Sequence, residues 1–107
     1  MDLQLKGKTA LVTGASMGIG RAIAKGLAAE GVRTCIAARR RELLDKLAQE
    51  IVAGDGRQPA IVAIDIMEEG APQKLAQEAL QALGGIGILV NCAGGSRPLS
   101  IDAPEEK

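Results

Sequence analysis

Four short apolar runs alternate with segments of helical periodicity along nearly the whole chain, and this alternation limits the possible folds more than any other feature. The runs are mostly apolar throughout, as expected for strands that are covered on both faces of a parallel sheet. Right-handed crossovers between such strands give an open α/β sheet. The predicted strands are 9–12, 32–38, 60–64 and 86–90, and the predicted helices are 18–30, 39–53 and 68–83.

Apolar spacing identifies the first helix. Between 18 and 30 the residues Ile19, Ala22/Ile23 and Gly26/Leu27 recur at spacings of three and four, which predicts a helix. The two cysteines, Cys35 and Cys92, lie in or just after apolar runs. We interpret both as small buried strand residues without a redox or nucleophilic role.

The composition argues against several classes of function. The formal net charge is zero and no basic patch is evident, so nucleic acid is not an expected partner. No apolar run reaches the roughly 18 residues that span a membrane, and the N-terminus lacks the pattern of a signal peptide. We therefore expect a cytoplasmic protein. The chain has no histidine, which excludes a Ser-His pair and a histidine-based metal site, and no metal site is predicted.

The stretch TGASMGIG at 13–20 follows the first predicted strand and can be interpreted in more than one way. It contains G-x-S-x-G, the nucleophile elbow of some hydrolases, but a catalytic Ser16 would need a base that this chain does not offer. Alternatively, Gly14, Gly18 and Gly20 form a turn that lets phosphates approach the backbone and a helix N-terminus. A turn that needs glycine for packing alone is the remaining alternative. We favour nucleotide binding.

Three arginines follow the second predicted strand, at the position where dinucleotide-binding folds often carry an acidic residue for the ribose hydroxyls. Arg39 could instead hold the 2′-phosphate of NADP by a bidentate contact. The alternative is an exposed, solvated basic turn. Three cations at a helix N-terminus oppose the helix dipole unless an anion is nearby, which favours NADP.

Polar residues end the third and fourth predicted strands. Asp65 could accept a hydrogen bond from the adenine amino group, or it could cap the following helix, and the sequence does not decide between these roles. Asn91 could tie neighbouring strands together through its amide. Gly94 would let a cofactor pass close to the backbone.

Together these motifs resemble the N-terminal part of a short-chain dehydrogenase/reductase of the T-G-x-x-x-G-x-G type. The resemblance rests on TGASMGIG at 13–20, on Asp65, and on residues 91–94, which are similar to the family motif N-N-A-G with Cys92 in place of its second Asn. Ala38-Arg39 is similar to the NADP-preferring form of the family. The nearest subgroup is that of the 3-oxoacyl-carrier-protein reductases. The resemblance implies a Rossmann-like, doubly wound parallel sheet with the order βαβαβαβ.

The resemblance also implies roles for individual residues. The turn would bind the pyrophosphate, Ser16 and Arg39 would contact the adenosine phosphate, and Ile19 would lie beside the nicotinamide ribose. Met17 occupies a position that is often Arg in the family, so one phosphate contact would be missing. Asp65 and Ile66 would flank adenine, Ala93 and Gly94 would line the ribose path, and Asn91 would order the sheet. The candidate cofactor-binding residues are Gly14, Ser16, Met17, Gly18, Ile19, Gly20, Arg39, Arg40, Asp65, Ile66, Asn91, Ala93 and Gly94.

The family reduces carbonyls by hydride transfer, using a Tyr, a Lys and a Ser that come from later strands, and the full-length enzyme is expected to use NADPH. This chain has no tyrosine, so no catalytic residue is assigned to it. We expect residues 1–107 to be the N-terminal cofactor-binding part of one Rossmann-fold domain, inactive alone, from an enzyme that acts on a small carbonyl or alcohol and forms a homo-oligomer. The alternative is a stand-alone dinucleotide-binding module, whose fourth strand would present a bare apolar edge.

Overall fold

A computed structural model of the chain describes residues 5–92. Strands and helices alternate in the predicted order. The elements are β1 (Thr9–Thr13), α1 (Gly18–Ala29), β2 (Arg33–Ala38), α2 (Arg41–Ala53), β3 (Ala60–Ala63), α3 (Ala71–Leu83) and β4 (Ile88–Asn91). The predicted α/β class and the βαβαβαβ order are therefore confirmed.

The four strands form one parallel sheet in the order β3-β2-β1-β4. The chain moves outward from β1 to β2 and β3, and then returns to place β4 on the other side of β1. The strand order thus reverses between β1 and β4, and ligands of open α/β sheets bind at this type of position. Because all strands are parallel, their carboxyl ends meet at one edge of the sheet, which we call the carboxyl edge.

Both faces of the sheet are covered by helices, as the continuous apolar strands predict. On one face α1 and α2 pack over Val12 and Ile36, and on the other α3 packs over Leu11 and Cys35. The four side chains are at most 5% exposed. None of the three helices, which have 12 or 13 residues, is long and apolar enough to cross a membrane.

The apolar residues of α1 are only partly on its packed face. Its buried residues are Gly20, Ala24 and Ala28, and Leu27 is partly buried against the same core, whereas Ile19 is 74% exposed. The fully buried residues are small, and small side chains let the helix axis approach the sheet closely.

Two helices begin later than predicted. Arg40 is the N-cap of α2, so this helix begins at Arg41 instead of Arg39. Helix α3 begins at Ala71, after Gly70 in a left-handed conformation with a φ of 81°. The residues before α3 form turns instead, in which the amide of Glu68 donates to the carbonyl of Asp65. These starts leave longer loops at the carboxyl edge than the periodicity predicts.

The outer strands of the sheet are β3 and β4. Within residues 5–92, β4 pairs only with β1, and its Leu89 side chain is 64% exposed. As far as the described residues extend, β4 is therefore an outer strand with one strongly exposed apolar residue.

Candidate functional site

A cleft of about 640 Å³ opens at the carboxyl edge. It lies where the loops after β1, β2 and β3 meet the residue that follows β4. The lining residues are Thr13, Gly14, Ser16, Met17, Ala37, Ala38, Arg39, Ile64, Asp65, Ile66, Met67, Leu75 and Cys92. Six of the predicted cofactor-binding residues are thus brought together in one cavity.

The turn between β1 and α1 has the geometry of an anion cradle. Gly14 and Gly18 both have a φ of +65°, a left-handed conformation that side chains disfavour. Met17 is the N-cap of α1, in an extended conformation, and no side chain of the described residues caps the helix. The first turn of α1 also contains no acidic residue. Its amides and its positive dipole end are therefore available to a negatively charged group.

The third glycine of the turn has a different role. A Cβ added to Gly20 would overlap the carbonyl oxygen of Gly14 and lie 3.2 Å from Cβ of Cys92. Glycine at this position lets the start of α1 pack directly on the turn and on the residue after β4. The sequence leaves open whether these glycines serve packing alone. Packing explains the glycine at Gly20, whereas backbone conformation explains Gly14 and Gly18.

Ser16 is half-buried and lines the cleft. It makes no hydrogen bond to an ionisable side chain among residues 5–92, and the whole chain lacks histidine. The described geometry offers no base that would activate this hydroxyl as a nucleophile.

The three consecutive arginines differ in their contacts. Arg40 Nε lies 2.9 Å from a carboxylate oxygen of Glu42, and Arg41 Nε lies 3.6 Å from Asp45. Arg39 lines the cleft and makes neither an ion pair nor a hydrogen bond within the described residues. A guanidinium without a partner beside an anion cradle is available to bind a phosphate.

Asp65 does not cap a helix, since the N-cap of α3 is Gly70. Its Oδ1 instead accepts a hydrogen bond of 3.0 Å from the backbone amide of Met67, which shapes the loop after β3. The carboxylate lines the cleft, and no other hydrogen bond to it occurs in the part of the chain that is described. It therefore retains an oxygen that can accept from a ligand.

A polar contact joins β1 and β4 at the cleft. The hydroxyl of Thr13 donates to Oδ1 of Asn91 at 2.8 Å, and the amide of Cys92 donates to the carbonyl of Thr13 at 3.2 Å. The side chain of Asn91 thus links neighbouring strands, which is the contact that the sequence suggests for it.

The two cysteines have different environments. Cys35 is fully buried in β2, and burial, with a smaller contribution from Glu78, raises the pKa of its thiol to about 11. Cys92 is half-buried and lines the cleft just beyond β4. The interpretation of Cys92 as a buried strand residue is therefore wrong: β4 ends one residue earlier, and the thiol lies at the cavity.

The remaining predicted residues lie around the cleft or beyond the described chain. Gly18, Ile19, Gly20, Arg40 and Asn91 are described but do not line the cavity. Ala93 and Gly94 lie outside the described residues. Sequence reasoning did not assign Met67 or Leu75, and the only available signal was that Met67 follows a strand end closely. No group of three potential metal-ligating side chains occurs among residues 5–92.

A smaller cavity, of about 380 Å³, lies at the opposite edge of the sheet between Arg33, Arg57 and the end of α3. It contains none of the predicted site residues. Its Arg33 already donates to the last carbonyls of α3, at 3.3 Å from Ala82 and 3.5 Å from Leu83. The carboxyl-edge cleft is therefore the candidate site.

Comparisons with known proteins identify the family of the chain. The family model described as short chain dehydrogenase matches residues 8–107. A short chain dehydrogenase of Pseudocercospora fijiensis is 45% identical over 105 residues, which cover 96% of this chain and 33% of that protein. The 3-oxoacyl-[acyl-carrier-protein] reductase of Aquifex aeolicus is 38% identical over 97 residues, covering 91% of this chain and 39% of that protein.

The fold is also found in solved structures. The apo form of glucose dehydrogenase of Caenorhabditis elegans superposes with a TM-score of 0.80 at 34% identity, over 87% of this chain and 40% of that one. The chain spans about a third of the length of the Pseudocercospora fijiensis protein. The similarity therefore covers nearly all of this chain but less than half of these relatives.

Proposed function

This chain belongs to the short-chain dehydrogenase family, and on that premise we propose that it binds NADP(H) as part of an oxidoreductase. In the proposed reaction, hydride passes between NADPH and a carbonyl or alcohol. The observation that carries the cofactor choice is Arg39, whose guanidinium lines the cleft without a partner among residues 5–92. We also propose that the protein is cytoplasmic, forms a homo-oligomer and has one Rossmann-fold domain.

The residues of the cleft fit such a dinucleotide. The left-handed Gly14 and Gly18 and the uncapped start of α1 suit a pyrophosphate, which accepts hydrogen bonds from backbone amides. Arg39 at the end of β2 suits a 2′-phosphate on the adjacent ribose, because a guanidinium can donate two parallel hydrogen bonds to it. The unused oxygen of Asp65 suits the adenine amino group, which is a donor.

The identity of the charged group at the end of β2 separates NADP from NAD. An acidic side chain there accepts from the ribose hydroxyls of NAD and repels a phosphate. Here Ala38 ends the strand and Arg39 follows it, and neither accepts a hydrogen bond through its side chain. The alternative of a solvated basic turn describes Arg40 and Arg41 better, since both pair with carboxylates of α2.

A bound nicotinamide dinucleotide would supply the hydride. The described residues would bind and orient it, while Thr13 and Asn91 hold the ends of β1 and β4 together beneath it. In the family a tyrosine transfers the proton, and this chain contains no tyrosine. We therefore propose that the 107 residues alone bind cofactor and do not reduce a carbonyl. Cofactor binding is expected equally of the alternative, a stand-alone binding module.

Calorimetric titration of NADPH and NADH against the wild-type protein and Arg39→Asp tests the proposal. The wild type is expected to bind NADPH more tightly by roughly tenfold to a hundredfold, since a hydrogen bond to a charged group contributes about 1.5–3 kcal/mol. Arg39→Asp is expected to reverse this preference. Arg57→Asp is the matched control, because Arg57 is also exposed and unpaired in the described region but lies at the opposite edge of the sheet.

Two outcomes would overturn the proposal. Equal affinities of the wild type for both cofactors would remove the role of Arg39 as the group that selects NADP. A loss of preference in Arg57→Asp as large as that in Arg39→Asp would mean that overall charge, not position, determines the selection.

A further inference from the structure

Two of the three most exposed large apolar side chains of residues 5–92 line the cleft. Met17, Ile19 and Met67 are 69%, 74% and 76% exposed, more than any other large hydrophobic residue described. Met17 is the N-cap of α1, Ile19 lies in the first turn of this helix, and Met67 lies in the loop after β3. Met17 and Met67 line the cavity itself, from two different loops.

The position of Met67 is fixed by a residue of the site. Its backbone amide donates to Oδ1 of Asp65, the carboxylate that also lines the cleft. The side chain itself is not packed in the core, since Met67 is 76% exposed. Methionine is unbranched and polarizable, and its sulfur makes favourable contacts with aromatic rings. The loop thus presents an adaptable apolar side chain at the cavity.

The order of the strands indicates which part of a dinucleotide would meet these side chains. Along the carboxyl edge, the loop of Met67 follows β3, Arg39 follows β2, and Met17 precedes α1 next to β1. With a 2′-phosphate on Arg39 and a pyrophosphate at the turn after β1, the adenine extends toward the loop after β3. Met67 is then on the adenine side of Arg39, and Met17 on the pyrophosphate side.

We propose that Met67 and Met17 are contact residues that close over the adenosine half of the cofactor from two rims of the cleft. The inference rests on the proposed function and adds a residue, Met67, that neither the sequence motifs nor the family resemblance assigns. Binding buries apolar surface of both side chains, and Met67 packs on the adenine ring through its thioether.

The first test measures binding of 2′,5′-ADP and of NADPH to Met67→Gln and Met67→Leu. Glutamine keeps the length and flexibility but loses the apolar end, so we expect affinity for both ligands to fall roughly fivefold, as partial burial of one side chain implies. Leucine keeps the apolar contact and is expected to stay within about twofold of the wild type. Leu80→Gln is the matched control, an exposed apolar residue of α3 outside the cleft.

The second test follows the methionine methyl groups by NMR in protein labelled with ¹³C at those methyls. The chain has three methionines, and Met17→Leu and Met67→Leu assign two of the three signals by removing them. Addition of 2′,5′-ADP is expected to shift the Met67 and Met17 signals. Affinity of Met67→Gln equal to that of the wild type, or a Met67 signal that does not move, would overturn the inference.

Different results would contradict the proposed function and the proposed role of Met67. A wild-type protein that binds neither dinucleotide would contradict the proposed function and with it this inference. A wild-type protein that binds NADPH with the expected preference, while Met67→Gln and Leu80→Gln bind equally well, would contradict only the role of Met67.

Discussion

The hydroxyl of Thr13 donates a hydrogen bond of 2.8 Å to Oδ1 of Asn91 and so joins the central strand β1 to the outer strand β4 beside the cleft. Thr13 is 6% exposed, and β1 is the only partner of β4 within residues 5–92. A second buried threonine, Thr34 in β2, has a hydroxyl that finds no hydrogen-bond partner among residues 5–92. Comparing the two threonines therefore separates the contribution of the hydrogen bond to stability from that of burying the side chain.

We expect Thr13→Val to lower the free energy of unfolding by roughly 0.5–1.5 kcal/mol, the usual contribution of one hydrogen bond. Thr34→Val is expected to leave stability unchanged or to raise it, because it removes a buried hydroxyl that has no partner. Urea denaturation of both variants measures the difference. Equal destabilisation of the two would mean that the contact to Asn91 contributes nothing beyond side-chain packing.

Gly20→Ala is expected to destabilise the fold and to weaken NADPH binding, because its Cβ would overlap the carbonyl oxygen of Gly14. The turn and the start of α1 would have to separate. Gly26→Ala in the same helix is the control: nothing lies within 4 Å of the added Cβ, so it is expected to stabilise by about 0.5–1 kcal/mol. Thermal denaturation and NADPH titration check both, and a Gly20→Ala protein as stable as the wild type would contradict the packing at this turn.

Glu50 of α2 pairs with Lys25 and Arg21 of α1. The hydrogen bond from Lys25 contributes most to lowering the pKa of this carboxyl below its ordinary value of 4.5, and the charge of Arg21 adds to the effect. A lowered pKa in the folded state means that the stabilisation is present above the unfolded pKa and is lost as the pH falls through the folded one. Melting temperatures between pH 6 and pH 3 should therefore fall less steeply in Glu50→Gln than in the wild type.

Glu69→Gln is the control for this measurement, since Glu69 is exposed and has no ion pair in the described region. Its melting temperatures should follow the wild-type curve. If Glu50→Gln and the wild type lost stability in parallel over this pH range, the contact between the two helices would not contribute to folding.

The two cysteines are expected to react with a thiol reagent at very different rates at pH 8. Cys92 is half-buried at the cleft and should react in the native protein, while the buried Cys35, with a pKa of about 11, should react only after unfolding. NADPH should slow the reaction of Cys92, because the thiol lines the proposed binding cavity. A fast phase that persists in Cys92→Ser would contradict this assignment.

Most of the fold could be predicted because its signals are local. Continuous apolar runs and helical periodicity identify seven elements in the correct order, and parallel strands must bring their carboxyl ends to one edge. Periodicity alone does not identify the most buried residues of α1, which are the small Gly20 and Ala28, while Ile19 is exposed. Small residues occupy the packed face where a helix approaches the sheet closely.

The candidate site, too, could be predicted only in part from the sequence. The glycine turn, Arg39 and Asp65 are visible in the sequence because their residue types suit a dinucleotide and follow predicted strands. Met67 carries no such signal, since an exposed methionine is recognisable only once the loop that presents it is known. The sequence singles out Arg39 among the three consecutive arginines, and the structure adds that its two neighbours pair with carboxylates of α2.

The sequence by itself determined the order of strands and helices, the left-handed turn after β1 and the family to which the chain belongs. These depend on residues that are adjacent or a few positions apart. Only the tertiary structure decided that β4 pairs with β1 through Thr13 and Asn91, which are 78 positions apart, and that Cys92 lies at the cavity. Contacts between distant residues form when the helices cover both faces of the sheet and set the strand order, so no local pattern in the sequence contains them.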